Sequence, residues 1–316
     1  MKKLILKKKI WVKDMIMVTG THCSGKSMIC PVIASLKNVE PLKKIYFIDQ
    51  INNLLYLKKI PLQTAIYLVN QILDSNFYDQ LIGRNLNYRP KDETSVFTAH
   101  NTKELLKRVN LKRGPQIILK ANKEKNFFLL DTHDGLWFPQ VWNNLNIKNL
   151  NIIHIHRNPI HVVNSWINSN YGEVDKSLLN QIPSFVYRNK MTPFYAFNFK
   201  NDYRKMKPVD RIIEMIIICV KNEILNFSKF KKKFISIEFD LFATNTNFYL
   251  SKICHLLKIN KTINTKKIMI RENLPRIIKS REYYEKKRKI KFMASKNTYK
   301  KLLEIEQKYE KFYTKH

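Results

Sequence analysis

Two periods of hydrophobic and polar positions run along this chain. Short apolar runs of strand length fall at residues 15–20 (Met-Ile-Met-Val-Thr-Gly), 127–131 (Phe-Phe-Leu-Leu-Asp), 150–156 (Leu-Asn-Ile-Ile-His-Ile-His) and 234–239 (Phe-Ile-Ser-Ile-Glu-Phe). Between them, apolar residues recur at helical spacing over 26–36, 45–75, 208–230 and about 246–258. Asn158-Pro159 reads as a cap followed by proline at the first helical position, which predicts a helix to about residue 168. The tail from about 280 is rich in Lys, Glu and Tyr and reads as helical. Strands that alternate with helices predict an α/β fold, a three-layer sandwich with a central parallel sheet covered on both faces. We read residues 1–316 as a single domain with a helical insertion at about 45–110 and a helical carboxy-terminal tail.

Composition narrows the class. A chain of 316 residues with 44% hydrophobic residues can bury a sizeable core. No apolar run approaches the roughly 20 residues of a bilayer span. The start, Met1–Lys9, is basic, but its apolar stretch falls short of the roughly 7–15 residues of a secretory signal. Cys23, Cys30, Cys219 and Cys254 form no CxxC pair, so neither a disulfide framework nor a metal site is expected. A cytoplasmic location fits these features. The formal charge of +33 invites a nucleic-acid reading, because Lys and Arg neutralise phosphates. The lysines are spread along the whole length, however, beside abundant Asn and Ile. That pattern also fits a coding bias with solvated faces, and no specific nucleic-acid partner is expected. Either way the field attracts anionic ligands.

The chemistry begins at residues 20–27. Only six glycines occur, and two of them frame Gly20-Thr21-His22-Cys23-Ser24-Gly25-Lys26-Ser27. This satisfies G-x-x-x-x-G-K-[ST] between a strand and a helix, the context that a phosphate loop needs. Backbone amides of Thr21, His22, Cys23, Ser24, Gly25, Lys26 and Ser27 would face an anion at the helix N-terminus. The fold class expected is therefore P-loop NTPase-like. The loop alone fits a kinase or nucleotide hydrolase, with Lys26, Ser27 and Asp131 serving Mg-ATP. Arg157 then falls at the C-terminal end of a strand, where α/β folds bind ligands, and Ser165 follows eight residues later on a helix. An arginine and a serine so placed can hold a second phosphate.

In this order the motifs resemble sulfotransferases that use 3′-phosphoadenosine-5′-phosphosulfate (PAPS). Arg157, Asn158, Pro159, Ser165 and Trp166 are similar to that family's 3′-phosphate motif, and Ser24-Gly25 to its 5′-phosphosulfate loop. Thr132-His133, 24 residues before Arg157, resembles the Thr-His that carries the family's catalytic base. Residues 237–241 and 250–257 resemble its late strand and helix. The resemblance implies sulfuryl transfer from PAPS to an acceptor hydroxyl, with adenosine 3′,5′-bisphosphate as product. It implies His133 as base, Lys26 as charge stabiliser, residues 21–27 with Arg157 and Ser165 as donor ligands, and no metal. By analogy the acceptor is a carbohydrate or glycolipid. Arg84 and Arg89, in an irregular polar stretch, are candidates for holding it. The chain departs from the family in having Cys23 where Lys or Arg usually precedes Ser-Gly, and Lys26-Ser27 where Thr-Thr is common. The glycine-containing C-terminal motif is missing, and Arg271, Arg276 or Arg281 would replace it.

Overall fold

The computed structural model describes residues 10–99, 101–173 and 184–315. The basic start Met1–Lys9, read above against a secretory leader, lies outside them. Seven strands and thirteen α-helices occur among the described residues. The strands are β1 (Asp14–Gly20), β2 (Lys43–Lys44), β3 (Phe128–His133), β4 (Asn149–His156), β5 (Ser184–Tyr187), β6 (Lys190–Pro193) and β7 (Lys233–Glu238). The helices are α1 (Lys26–Ala34), α2 (Tyr46–Tyr56), α3 (Leu62–Leu81), α4 (Thr102–Lys107), α5 (Gln116–Glu124), α6 (Pro139–Trp142) and α7 (Pro159–Asn168). They continue with α8 (Pro208–Asn226), α9 (Phe239–Thr244), α10 (Thr246–Leu257), α11 (Ile263–Arg271), α12 (Ser280–Met293) and α13 (Lys296–Tyr313).

Five strands form one parallel sheet in the order β2-β3-β1-β4-β7, and β5 and β6 pair as a separate antiparallel hairpin. The period-2 side-chain alternation of the central strands explains the three layers. On one face Met15, Met17, Phe128, Leu130 and Ile152 join a core with α2, α3, α5–α8, α12 and α13. On the other, Ile16, Val18, Leu129, Ile153 and Ile155 meet α1, α9, α10 and α11. Strands covered on both sides are apolar at most positions, and this is why the central ones read as runs more than as alternations. The fold class is the one expected.

Two expectations change in detail. The stretch 45–75 is split into α2 and α3, because Lys58 takes a left-handed φ of 55° and Pro61 starts α3. The third strand runs to His133 rather than ending at Asp131, which places Gly20 and His133 side by side in the β1–β3 register. After β3 the chain crosses to the far side of β1 to form β4. The carboxyl ends of β3, β1 and β4 thus frame the switch point where doubly wound sheets bind ligands.

Candidate active site

The loop from Thr21 to Gly25 leaves β1 at that switch point. A hydrogen bond from the Ser24 amide to the Thr21 carbonyl (3.1 Å) tightens it, and Cys23 takes a φ of 65°. Gly25 is the N-cap of α1 at φ 104°, and a Cβ there would fall 2.0 Å from the Phe239 ring. Glycine is therefore required for both conformation and space. No side chain caps α1, and no acid sits in its first turn. Its first amides and the positive end of its dipole are thus left for an anion. Buried Lys26 curls back, donating from Nζ to the carbonyls of Gly20 (2.8 Å) and Thr21 (3.2 Å). Ser24 Oγ is buried without a hydrogen-bond partner. It lines a cavity of about 10 Å³, together with Thr21, His156, Arg157, Cys219 and Glu223.

His133 stands beside this loop. Its ring stacks on His22 at 3.5 Å between centroids, with the planes 5° apart, and Tyr46 lies parallel on it at 6.4 Å. Nδ1 is 3.0 Å from Asp49 Oδ2, and Asp49 Oδ1 accepts from the Thr132 hydroxyl (2.8 Å) and the His133 amide (3.2 Å). Asp49 thus fixes ring and strand end together. With Nδ1–H donated to Asp49, Nε2 is the lone-pair nitrogen. Burial holds the His133 imidazole well below the usual histidine range, and the nearby Lys26 and Lys44 add to this. Burial also pushes the Asp49 carboxyl up to about 7, against the Thr132 and His133 amide hydrogen bonds. The two directions agree physically: a dry site favours the pair with least charge.

Asp49 was missed by the sequence analysis. The signal was an acid on the buried side of α2, between Ile48 and Ile51. Asp134 was missed too. It is buried, and its carboxyl accepts from Tyr195 Oη and from Thr21 Oγ1 (3.3 Å). Thr21 Oγ1 also lies 2.9 Å from Glu223 Oε1, so one hydroxyl ties the loop to two buried acids. Burial, outweighing the Tyr195 hydrogen bond, pushes Asp134 up to about 7, and Glu223 adds to the rise.

The second motif is arranged differently. Arg157 donates from Nη2 to Asp240 Oδ1 (2.9 Å), with Nε 3.5 Å from Oδ2. Its guanidinium lies 4.6 Å from the centroid of Phe239, the same ring that abuts Gly25. Arg276 approaches that ring as well, at 5.5 Å. Asn158 caps α7 by accepting from the Ile160 amide (2.9 Å). Ser165 Oγ donates to the His161 carbonyl one turn back (3.0 Å). Trp166 is fully buried, and its indole N–H donates to the His22 carbonyl (3.0 Å), which ties α7 to the loop.

Arg84 pairs with Asp79 (2.5 Å) just beyond α3, and Arg89 is exposed, its amide donating to Asn87. Asp131 is buried on the α1 side of β3, 3.6 Å from Lys44 Nζ. His154 bonds Ser236 (3.0 Å) and His156 bonds Tyr309 (2.7 Å), as structural histidines do. A roomier cavity of about 490 Å³, lined by Glu40, Arg108 and Asn126 among others, opens by the start of β3, at the edge away from the loop.

Fold and loop together define a doubly wound α/β protein with an uncapped helix N-terminus at its switch point. Among solved structures, the chain is similar to the sulfotransferase domain of the Synechococcus PCC 7002 olefin synthase. That match has 10% identity and a TM-score of 0.44, over 84% of this chain and 80% of that one. It is also similar to the sulfotransferase domain of the curacin biosynthetic pathway (10%, TM-score 0.43, 80% and 77%). A Mycobacterium tuberculosis H37Rv sulfotransferase is similar as well (9%, TM-score 0.42, 87% and 76%). No family model and no curated protein matches the sequence. No helix among the described residues is long and apolar enough to cross a membrane.

Proposed function

We propose that the chain is a PAPS-dependent sulfotransferase acting on an acceptor hydroxyl, carried by a carbohydrate or glycolipid. The observation that carries the reading is the Asp49–His133 pair beside an uncapped phosphate loop: a base and an anion seat share one strand-end register. The residues present suit the donor. The open N-terminus of α1 and the unpartnered Ser24 hydroxyl supply donors, and Lys26 supplies charge. When bound, the donor supplies an activated sulfuryl group on a phosphate leaving group.

In this reading, the loop amides and Ser24 hold the phosphosulfate end, and Arg157 holds the far phosphate after leaving Asp240. Asp49 keeps His133 in the tautomer whose Nε2 accepts the acceptor's proton. As that hydroxyl forms its bond to sulfur, the bond from sulfur to the bridging oxygen breaks, and Lys26 with the α1 amides stabilises the charge left there. Stacking on His22 and Tyr46 limits rotation of the base.

The test uses PAPS labelled with ³⁵S, a pool of glycan and glycolipid acceptors, and EDTA. Label entering a covalent product with wild type but not with His133→Ala is the expected result. Turnover that needs ATP and magnesium, with none from PAPS, overturns the reading in favour of a kinase.

A further inference from the structure

The site leaves the outer surface of the α1 layer unused, and α11 forms part of it. This helix is two-faced. Thr265, Ile268 and Met269 are buried toward the core, Ile268 and Met269 within it. Ile263, Lys266, Lys267 and Ile270, at i, i+3, i+4 and i+7, share the opposite face and are exposed. Ile263 is 86% exposed and Ile270 69%. Two large aliphatic side chains thus stand in water on this face, with Lys266 and Lys267 between them. The charge around them is one-signed. Residues 258–271 hold Lys258, Lys261, Lys266, Lys267 and Arg271 and no acid, and all five cations are exposed. Arg271 pairs with Glu272 at 2.8 Å.

We propose that this face of α11 docks the protein on an anionic membrane surface, with Ile263 and Ile270 entering the acyl boundary and the lysines meeting lipid phosphates. At such a boundary, buried apolar area and attraction of cations to anionic lipid both add to binding. Single-stranded nucleic acid instead favours aromatic platforms among the cations. Each Lys near an anionic leaflet multiplies partitioning by about fivefold, and each buried Ile adds about tenfold or more. The inference stands on the patch alone and does not depend on the catalytic reading.

The experiment is sedimentation of the full chain with phosphatidylcholine vesicles, with and without one-third phosphatidylglycerol. Binding to the anionic vesicles only is expected, reduced at least tenfold by Ile263→Ser with Ile270→Ser, and likewise by Lys266→Glu with Lys267→Glu. Unchanged melting temperatures establish that the variants fold. Independently, Ile270→Trp should show a blue-shifted emission on adding anionic vesicles. No binding by wild type overturns the proposal. So does binding that survives loss of both isoleucines, or an Ile270→Trp emission that does not move. Displacement by RNA, with the isoleucine variant binding RNA as wild type does, would assign the patch to nucleic acid instead.

Discussion

The two proposed anion seats of this molecule differ in readiness. At the β1–α1 loop the groups that would face a ligand are already available: an uncapped helix N-terminus, a buried serine hydroxyl without a partner, and a lysine held only by loop carbonyls. At the β4–α7 turn the corresponding groups are engaged. Arg157 is paired with Asp240, and Ser165 donates to its own helix. The first seat is preorganised and the second must exchange partners, so equal-looking motifs should contribute unequally. Asp240 in effect occupies the place of an anion, and displacing it offsets part of what Arg157 gains.

The largest effect should come from the ready side. His133→Ala should lower transfer by about 10²–10⁴-fold, the usual weight of general-base catalysis. Lys26→Ala should cost about 10²–10³ in kcat, as loss of one preorganised donor does. The pH profile sharpens the assignment. The active form needs Asp49 ionised and His133 neutral, and the pair takes up a proton as pH falls through about 7. Activity should therefore decline below that pH, and Asp49→Asn should flatten the limb while lowering the rate. A wild-type profile flat down to pH 5 would remove the dyad from the mechanism.

Next comes the engaged side, read by binding of adenosine 3′,5′-bisphosphate. Arg157→Ala should weaken it by about 10–100-fold, the value of a charge-assisted hydrogen bond. Asp240→Ala should tighten it several-fold by freeing Arg157. If Asp240→Ala weakens binding instead, Asp240 positions Arg157 rather than standing in for the ligand. Ser165→Ala should change binding by less than threefold.

The smallest expected effect is on stability. Folded Asp134 keeps its proton up to about 7, whereas an unfolded aspartate loses it near pH ~3.9. The folded state therefore binds more protons across that window, and its stability falls as pH rises through it. Asp134→Asn removes this term. Relative to wild type, its melting temperature should be about 6 °C higher at pH 8 than at pH 4. Equal differences at the two pH values would place the ionisation elsewhere.

How much of this was legible in the sequence follows from where each signal lies. The four long strands and the loop were readable because burial on both faces leaves largely apolar runs, and because the loop's chemistry is local in sequence. β2 was not, since two lysines at the sheet edge carry no apolar signal. The break between α2 and α3 hid in a stretch with continuous helical spacing. Asp49 was out of reach because its partner His133 is 84 residues away, and only the packing of α2 against β3 brings them together. Arg157 and Ser165 were visible as residue types at a spacing, but spacing does not show that Asp240 and the His161 carbonyl already hold them.

The most direct test is a calorimetric titration of adenosine 3′,5′-bisphosphate into wild type, Lys26→Ala and Arg157→Ala in EDTA. The account predicts one metal-independent site in wild type, weakened in both variants and more in Lys26→Ala. No binding without magnesium, or binding indifferent to Lys26, would contradict it.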